Sequence, residues 1–187
     1  PDSYGTFLWP MKMSRPVYPN SDFKMKAKYI LFSIVLLVST MVTAQWRSKY
    51  EQKTLVDGAD TLRYRIMYPK NFDQSKKYPV IFFLHGAGER GSDNESQLVH
   101  GGKLFASDYL QERFPAIVIF PQCSKESYWS NVDVDRSTYP IKLNFNYDGG
   151  PTTPLRMVME LLDNILQQPY SDDDRVYLMG LSMGGMG

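Results

Sequence analysis

Three short apolar runs constrain this chain more than any other feature. Pro79-Val80-Ile81-Phe82-Phe83-Leu84, Ala116-Ile117-Val118-Ile119-Phe120 and Val176-Tyr177-Leu178-Met179 show almost no alternation of polar and apolar residues. A strand with one wet face alternates, whereas a strand covered on both faces does not. Segments of helical character lie between the runs, so their order predicts an α/β fold with a mostly parallel sheet. After Thr153, Leu155, Val158, Leu162 and Ile165 recur at helical spacing, and Leu161 and Leu166 widen the stripe. Thr153 is expected to cap that helix, with Pro154 at its first position, where a missing N–H costs nothing. Ser92 and Glu95 fit a capping box opening a short helix, and residues 103–111 predict another.

The N-terminal part of the domain reads differently. Residues 50–56 and 61–68 predict an antiparallel hairpin at the sheet edge, turning at Asp57-Gly58. Leu62, Tyr64, Ile66 and Tyr68 would face inward, and Arg63 and Arg65 outward. Residues 123–152 predict a long irregular loop, rich in Tyr, Asp, Asn and Gly, that walls the active site.

The third apolar run leads straight into Gly180-Leu181-Ser182-Met183-Gly184-Gly185. A G-x-S-x-G pentapeptide is a weak signal alone, met by chance about once in twenty chains of this size at ~7% Gly and Ser. Its position after a buried strand makes it specific. A sharp strand-to-helix turn lifts the Ser182 hydroxyl above the sheet, and the glycines admit the strained backbone. A second glycine-rich turn, His85-Gly86-Ala87-Gly88, follows the first apolar run. Both turns fall at strand carboxyl ends, the rim on which α/β sheets bind ligands. Acyl transfer at Ser182 needs two waiting N–H donors for the oxyanion. Met183 and Ala87 are the expected donors, with Gly86 and Gly88 as alternates to Ala87.

The remaining candidates are weaker. His85, Gly86 and Trp129 are expected near the substrate, although Trp129 fits a loop anchor equally well. Glu89 and Arg90 are expected to hold the loop by pairing with neighbours. Cys123, the one cysteine, follows an apolar strand and reads as an inert packed thiol. Asp172-Asp173-Asp174 lacks the spacing of a calcium loop, so no metal and no cofactor is expected.

Composition removes some functions. Five of the 21 basic and two of the 20 acidic groups lie in the first 44 residues, leaving a net charge of −2 on the remainder. That balance argues against a nucleic-acid partner. Residues 25–44 have the parts of an export signal: Lys26 and Lys28, the apolar run Ile30–Val38, and Val42-Thr43-Ala44 before a cleavage expected at Gln45. The run is shorter than the ~20 residues of a spanning helix, so no stable membrane anchor is expected, and the domain is placed in the periplasm or outside the cell. Met25 then reads as the start, residues 1–24 as an upstream leader expected to be disordered, and residues 45–187 as the catalytic part.

Together, the His85–Gly91 turn, Pro121-Gln122-Cys123 and the Ser182 pentapeptide resemble the α/β-hydrolase superfamily. They resemble in particular secreted bacterial esterases related to feruloyl esterases and polyhydroxybutyrate depolymerases, whose relatives include prolyl oligopeptidase-like "predicted peptidases". The resemblance implies an acyl-enzyme on Ser182, a small-molecule or polysaccharide-linked ester as substrate, and a triad in the order Ser, acid, His. Serine peptidase activity and a non-catalytic chain are the alternatives. His85 and His100 both precede Ser182, so the resemblance implies a domain cut short after the elbow, inactive as it stands, with its nucleophile strand left as an exposed edge.

Overall fold

The computed structural model describes Lys26, residues 28–32 and residues 45–187. It divides into two units, Pro1–Met41 and Val42–Gly187. In the first, Lys26 and residues 28–32 are helical and exposed. The expected leader, and the expected export signal apart from these few residues, lie outside the described residues. Among the described residues no helix is long and apolar enough to cross a membrane.

The second unit is built on a five-stranded sheet. Its strands are β1 (Glu51–Asp57), β2 (Asp60–Met67), β3 (Tyr78–Leu84), β4 (Ile117–Gln122) and β7 (Ser171–Gly180), in the order β1-β2-β4-β3-β7. β5 (Val132–Asp135) and β6 (Lys142–Phe145) form a separate antiparallel hairpin. The helices are α1 (Gly102–Phe105), α2 (Asp108–Arg113) and α3 (Thr153–Leu166).

All three apolar runs form strands, and the first two are covered on both faces as their composition predicts. β3 pairs in parallel with both β4 and β7, and β3 and β4 are packed on both faces. Val80, Phe82 and Leu84 join Ile117, Ile119 and the α3 residues Met157, Val158, Leu161 and Ile165 on one face. Val118 and Phe120 join Tyr50, Met67 and Leu98 on the other, with Ile81 and Phe83 packed against them. Each such side chain contributes roughly 1.5–3 kcal/mol on burial. The β1-β2 hairpin is antiparallel and lies at the sheet edge as expected, with Gly58 at φ 56° in its two-residue turn. Only glycine takes that φ without a steric penalty.

Several boundaries move for identifiable reasons. Thr152, not Thr153, caps α3: its hydroxyl accepts from Leu155 N, and Pro154 lies one position further in than expected. The expected helix over 103–111 breaks at Ala106-Ser107, where the Ser107 hydroxyl starts α2 by accepting from Leu110 N. No capping box forms at Ser92. Asp93 accepts from Glu95 N and Ser96 N instead, and a short 3-10 turn follows over Ser96–Leu98. Arg65, expected outside, is 4% exposed. The segment 94–95 covers that face of β2, and Arg65 donates to Asn94 O and Tyr50 O and pairs with Glu95.

β7 forms the other edge. Its register with β3 jumps from Pro79↔Asp172 to Val80↔Val176, so residues 173–175 bulge outward. Asp172 and Asp173 meet Arg175 and Lys77 there. Tyr177, Leu178 and Met179 are 52%, 64% and 44% exposed. This is the bare apolar edge expected of the nucleophile strand.

Candidate active site

Two strand ends converge to make the site. β3 runs into His85-Gly86 and a 3-10 turn over Ala87–Glu89, and its neighbour β7 runs into Leu181 and a 3-10 turn over Ser182–Met186. Leu181 N donates to Leu84 O at 3.0 Å, stitching the two turns together at their roots. Ser182 is exposed and stands at φ 50°, in the left-handed region that a non-glycine residue enters at a cost of about 1–3 kcal/mol. The bend holds because its glycines pack on backbone. A Cβ on Gly180 would overlap Gly184 O, and one on Gly184 would overlap Leu84 O. Gly86 lies directly across, where an added Cβ would come 3.9 Å from the Ser182 Cβ.

Ala87 is the first residue and Met183 the second of their respective 3-10 turns, and the first N–H groups of such turns lack intrahelical acceptors. Among the described residues neither N–H has another acceptor. Ala87, Ser182 and Met183 line one cavity of about 200 Å³, roofed by Val132, Val134 and Leu143 of the β5-β6 hairpin. A larger cavity of about 480 Å³ lies between Tyr78, Pro79 and Arg175, at the opposite ends of β3 and β7. Ligands in α/β sheets bind at strand carboxyl ends, so the smaller cavity is the relevant one.

His85 and Trp129, expected at the substrate, are instead the supports of the Ala87 turn. Both are fully buried. His85 Nε2 accepts from Cys123 N at 3.0 Å, which leaves Nδ1 to donate to Gly86 O at 2.7 Å. Burial depresses the His85 pKa, so the ring stays neutral with both nitrogens occupied. Trp129 Nε1 donates to His85 O at 3.1 Å, and its ring meets the imidazole edge-on. A side chain with no exposed surface and no free polar atom cannot touch a ligand. Gly86 contributes its missing side chain.

Further ties hold the same loop. Arg90 donates to the carbonyls of Ala87, Lys125 and Ser127, and its guanidinium lies 4.3 Å from the Tyr128 ring centroid. Glu89 faces the exposed His100, whose Nε2 is 3.4 Å from the Glu89 carboxylate. Gln122 entered the sequence reading only within the Pro121-Gln122-Cys123 tripeptide, with no role assigned. It is buried, donates to Glu89 O and Asp93 Oδ1, and accepts from Asn94 N. Its sequence signals were that tripeptide and its place at a strand carboxyl end. Burial raises the Asp93 pKa, but hydrogen bonds from Ser96, Glu95 N and Gln122 outweigh this and hold the carboxyl well below its usual range. Cys123 is buried, and desolvation pushes its thiol up to about 12, which leaves it inert.

The family model Esterase, described as "Putative esterase", matches residues 59–187. Among solved structures, a thermostable esterase superposes with a TM-score of 0.64 at 32% identity, over 76% of this chain and 37% of that one. A ferulic acid esterase shares the fold with a TM-score of 0.50 at 22% identity, over 73% of this chain and 51% of that one. Among curated proteins, "Probable dipeptidyl-peptidase 5" of Aspergillus terreus (strain NIH 2624 / FGSC A1156) is 28% identical over 120 residues, covering 64% of this chain. The chain spans 15% of that relative's length. The match runs from the turn of the β1-β2 hairpin through the Ser182 elbow, and the chain therefore belongs to the Esterase family, on an α/β-hydrolase fold.

Proposed function

We propose that this protein is a serine hydrolase of carboxylesterase type, with Ser182 as the nucleophile. One observation carries the reading. An exposed serine at positive φ shares a small cavity with Ala87 and Met183, whose N–H groups have no acceptor among the described residues. Attack by Ser182 Oγ on an ester carbonyl forms the acyl bond through a tetrahedral oxyanion, which these N–H groups stabilise. The alcohol then leaves with a proton, and water releases the acid.

A serine hydroxyl needs a base to be nucleophilic at neutral pH. Neither histidine of this chain is placed to serve: both nitrogens of His85 are engaged, and His100 stands on Glu89 and does not line the cavity. The lysines and apolar run of residues 26–38 support export of the domain. A peptidase reading draws on the likeness to "Probable dipeptidyl-peptidase 5". The small apolar cavity favours an ester with a short arm.

The test is covalent. In the full-length gene product, a fluorophosphonate should label one residue, located at Ser182 by peptide mass spectrometry, and Ser182→Ala should abolish both label and ester turnover. A label that persists in Ser182→Ala removes this serine from the mechanism.

A further inference from the structure

The wall facing Ser182 has more chemistry than an apolar lining requires. Along the segment that includes β5, Tyr128, Ser130, Val132, Val134 and Arg136 all line the Ser182 cavity, at every second residue. This is the periodicity of one strand face. Leu143 on β6 sits opposite Val134 and completes the apolar part. The polar members are unusual in three ways. Arg136 has no carboxylate partner among the described residues, and unlike Arg63, Arg90 and Arg113, which also lack one, it lines the Ser182 cavity. It lines the cavity beside the Tyr128 phenol, and its positive charge holds the Tyr128 pKa below the usual phenol value. The Ser130 hydroxyl is buried without any hydrogen-bond partner, a state that costs free energy unless something fills it. Tyr128 is itself fixed, because Arg90 packs on its ring while bonding three carbonyls.

A guanidinium with no carboxylate partner among the described residues and a phenol on the same cavity wall suit a carboxylate, which both can donate to. At about 200 Å³ the cavity is smaller than the ~300–1,000 Å³ of sites for drug-sized ligands, so the arm bearing that carboxylate is short. We propose that the Ser182 cavity takes an ester with a short apolar arm ending in a carboxylate, the arm lying along Val132, Val134 and Leu143 and the charge read by Arg136 and Tyr128. The inference rests on Ser182 being the acylated residue. Arg136 and Tyr128 are specificity residues in this scheme, and they take no part in breaking the bond.

The test compares charged and neutral esters of equal length on the full-length gene product. Monomethyl glutarate, adipate and suberate place the charge on the acyl side, and 4-acetoxybutanoate places it on the alcohol side. Each is paired with its neutral methyl ester. At least one charged ester should be preferred by about tenfold in kcat/KM, mostly through KM, as one charge-assisted hydrogen bond allows. In Arg136→Gln that ratio should fall to about one, and Arg136→Lys should restore part of it. Dissociation constants on Ser182→Ala, read by NMR titration, should show the same preference without chemistry. Equal affinity for charged and neutral esters throughout, or a preference that Arg136→Gln leaves intact, overturns the proposal. Fluorophosphonate labelling of the same preparation separates this from failure of the Ser182 reading. Loss of labelling with retained charge preference would indict the nucleophile, and retained labelling without preference would indict the subsite.

Discussion

Gly184→Ala should slow fluorophosphonate labelling of Ser182 by about two orders of magnitude, while Gly185→Ala leaves the rate within a few fold. The two glycines are adjacent, and a composition argument would treat them alike. Their surroundings differ. A Cβ on Gly184 would collide with the Leu84 carbonyl and come 2.9 Å from the Leu84 Cβ, atoms that belong to the central strand of the parallel core. A backbone carbonyl cannot rotate aside as a side chain can, so the elbow itself must shift. That shift would strain the Leu181 N to Leu84 O bond, which roots Ser182 beside the Ala87 turn. A displacement of about 1 Å at a reacting atom costs on the order of 100-fold in rate. The same collision should lower stability by about 1–3 kcal/mol, the usual cost of overpacking. A Cβ on Gly185 would approach nothing closer than Gly180 O at 3.5 Å, an ordinary contact. Equal labelling rates in the two variants would show that the bend is not held as described.

Trp129→Ala should be the most destabilising substitution of a loop residue. Trp129 is fully buried, belongs to the main core and donates to His85 O. Removing it leaves a cavity and an unpaired buried carbonyl. Large aromatic truncations of this kind cost about 3–5 kcal/mol. At ~2–4 °C per kcal/mol for a domain of this size, Tm should fall by roughly 10 °C. Labelling should weaken as well, because the His85-Gly86 peptide that Trp129 steadies opens the Ala87 turn. Trp129→Phe keeps most of the volume and loses only the N–H, and should fall about midway between wild type and Trp129→Ala. A Tm within a degree or two of wild type in Trp129→Ala would contradict a buried anchor.

These two residues also mark where the sequence was and was not legible. The sheet was legible because continuous apolar runs admit few environments, and β3, β4 and β7 fall where those runs lie. The elbow was legible because G-x-S-x-G follows such a run, and Ser182 takes the strained φ that the motif implies. The position of Ala87 and Met183 around one cavity followed from both turns lying at strand carboxyl ends. Trp129 was ambiguous for a physical reason. An indole serves a core or a ring-binding pocket equally well, and only its fully buried place in the fold settles which.

The rest depended on contacts distant in sequence. The alternation of β2 promised an outward Arg65, yet segment 94–95, nearly 30 residues away, folds over it and supplies its acceptors. Gln122 looks like an ordinary polar end to an apolar strand until its three hydrogen bonds to residues 89–94 are seen. The β5-β6 hairpin was expected to be irregular loop. Its strands are four residues each and separated by an exposed six-residue connection, too short and too polar to read as strands. That hairpin nevertheless supplies the wall opposite Ser182.

The most direct test is a crystal structure of the full-length gene product carrying a fluorophosphonate-derived adduct on Ser182. The phosphonyl oxygen is expected ~2.7–3.1 Å from both the Ala87 and Met183 backbone nitrogens, the geometry of an anion held by two amide donors. An adduct on Ser182 whose oxygen points to solvent, away from both nitrogens, would contradict the account.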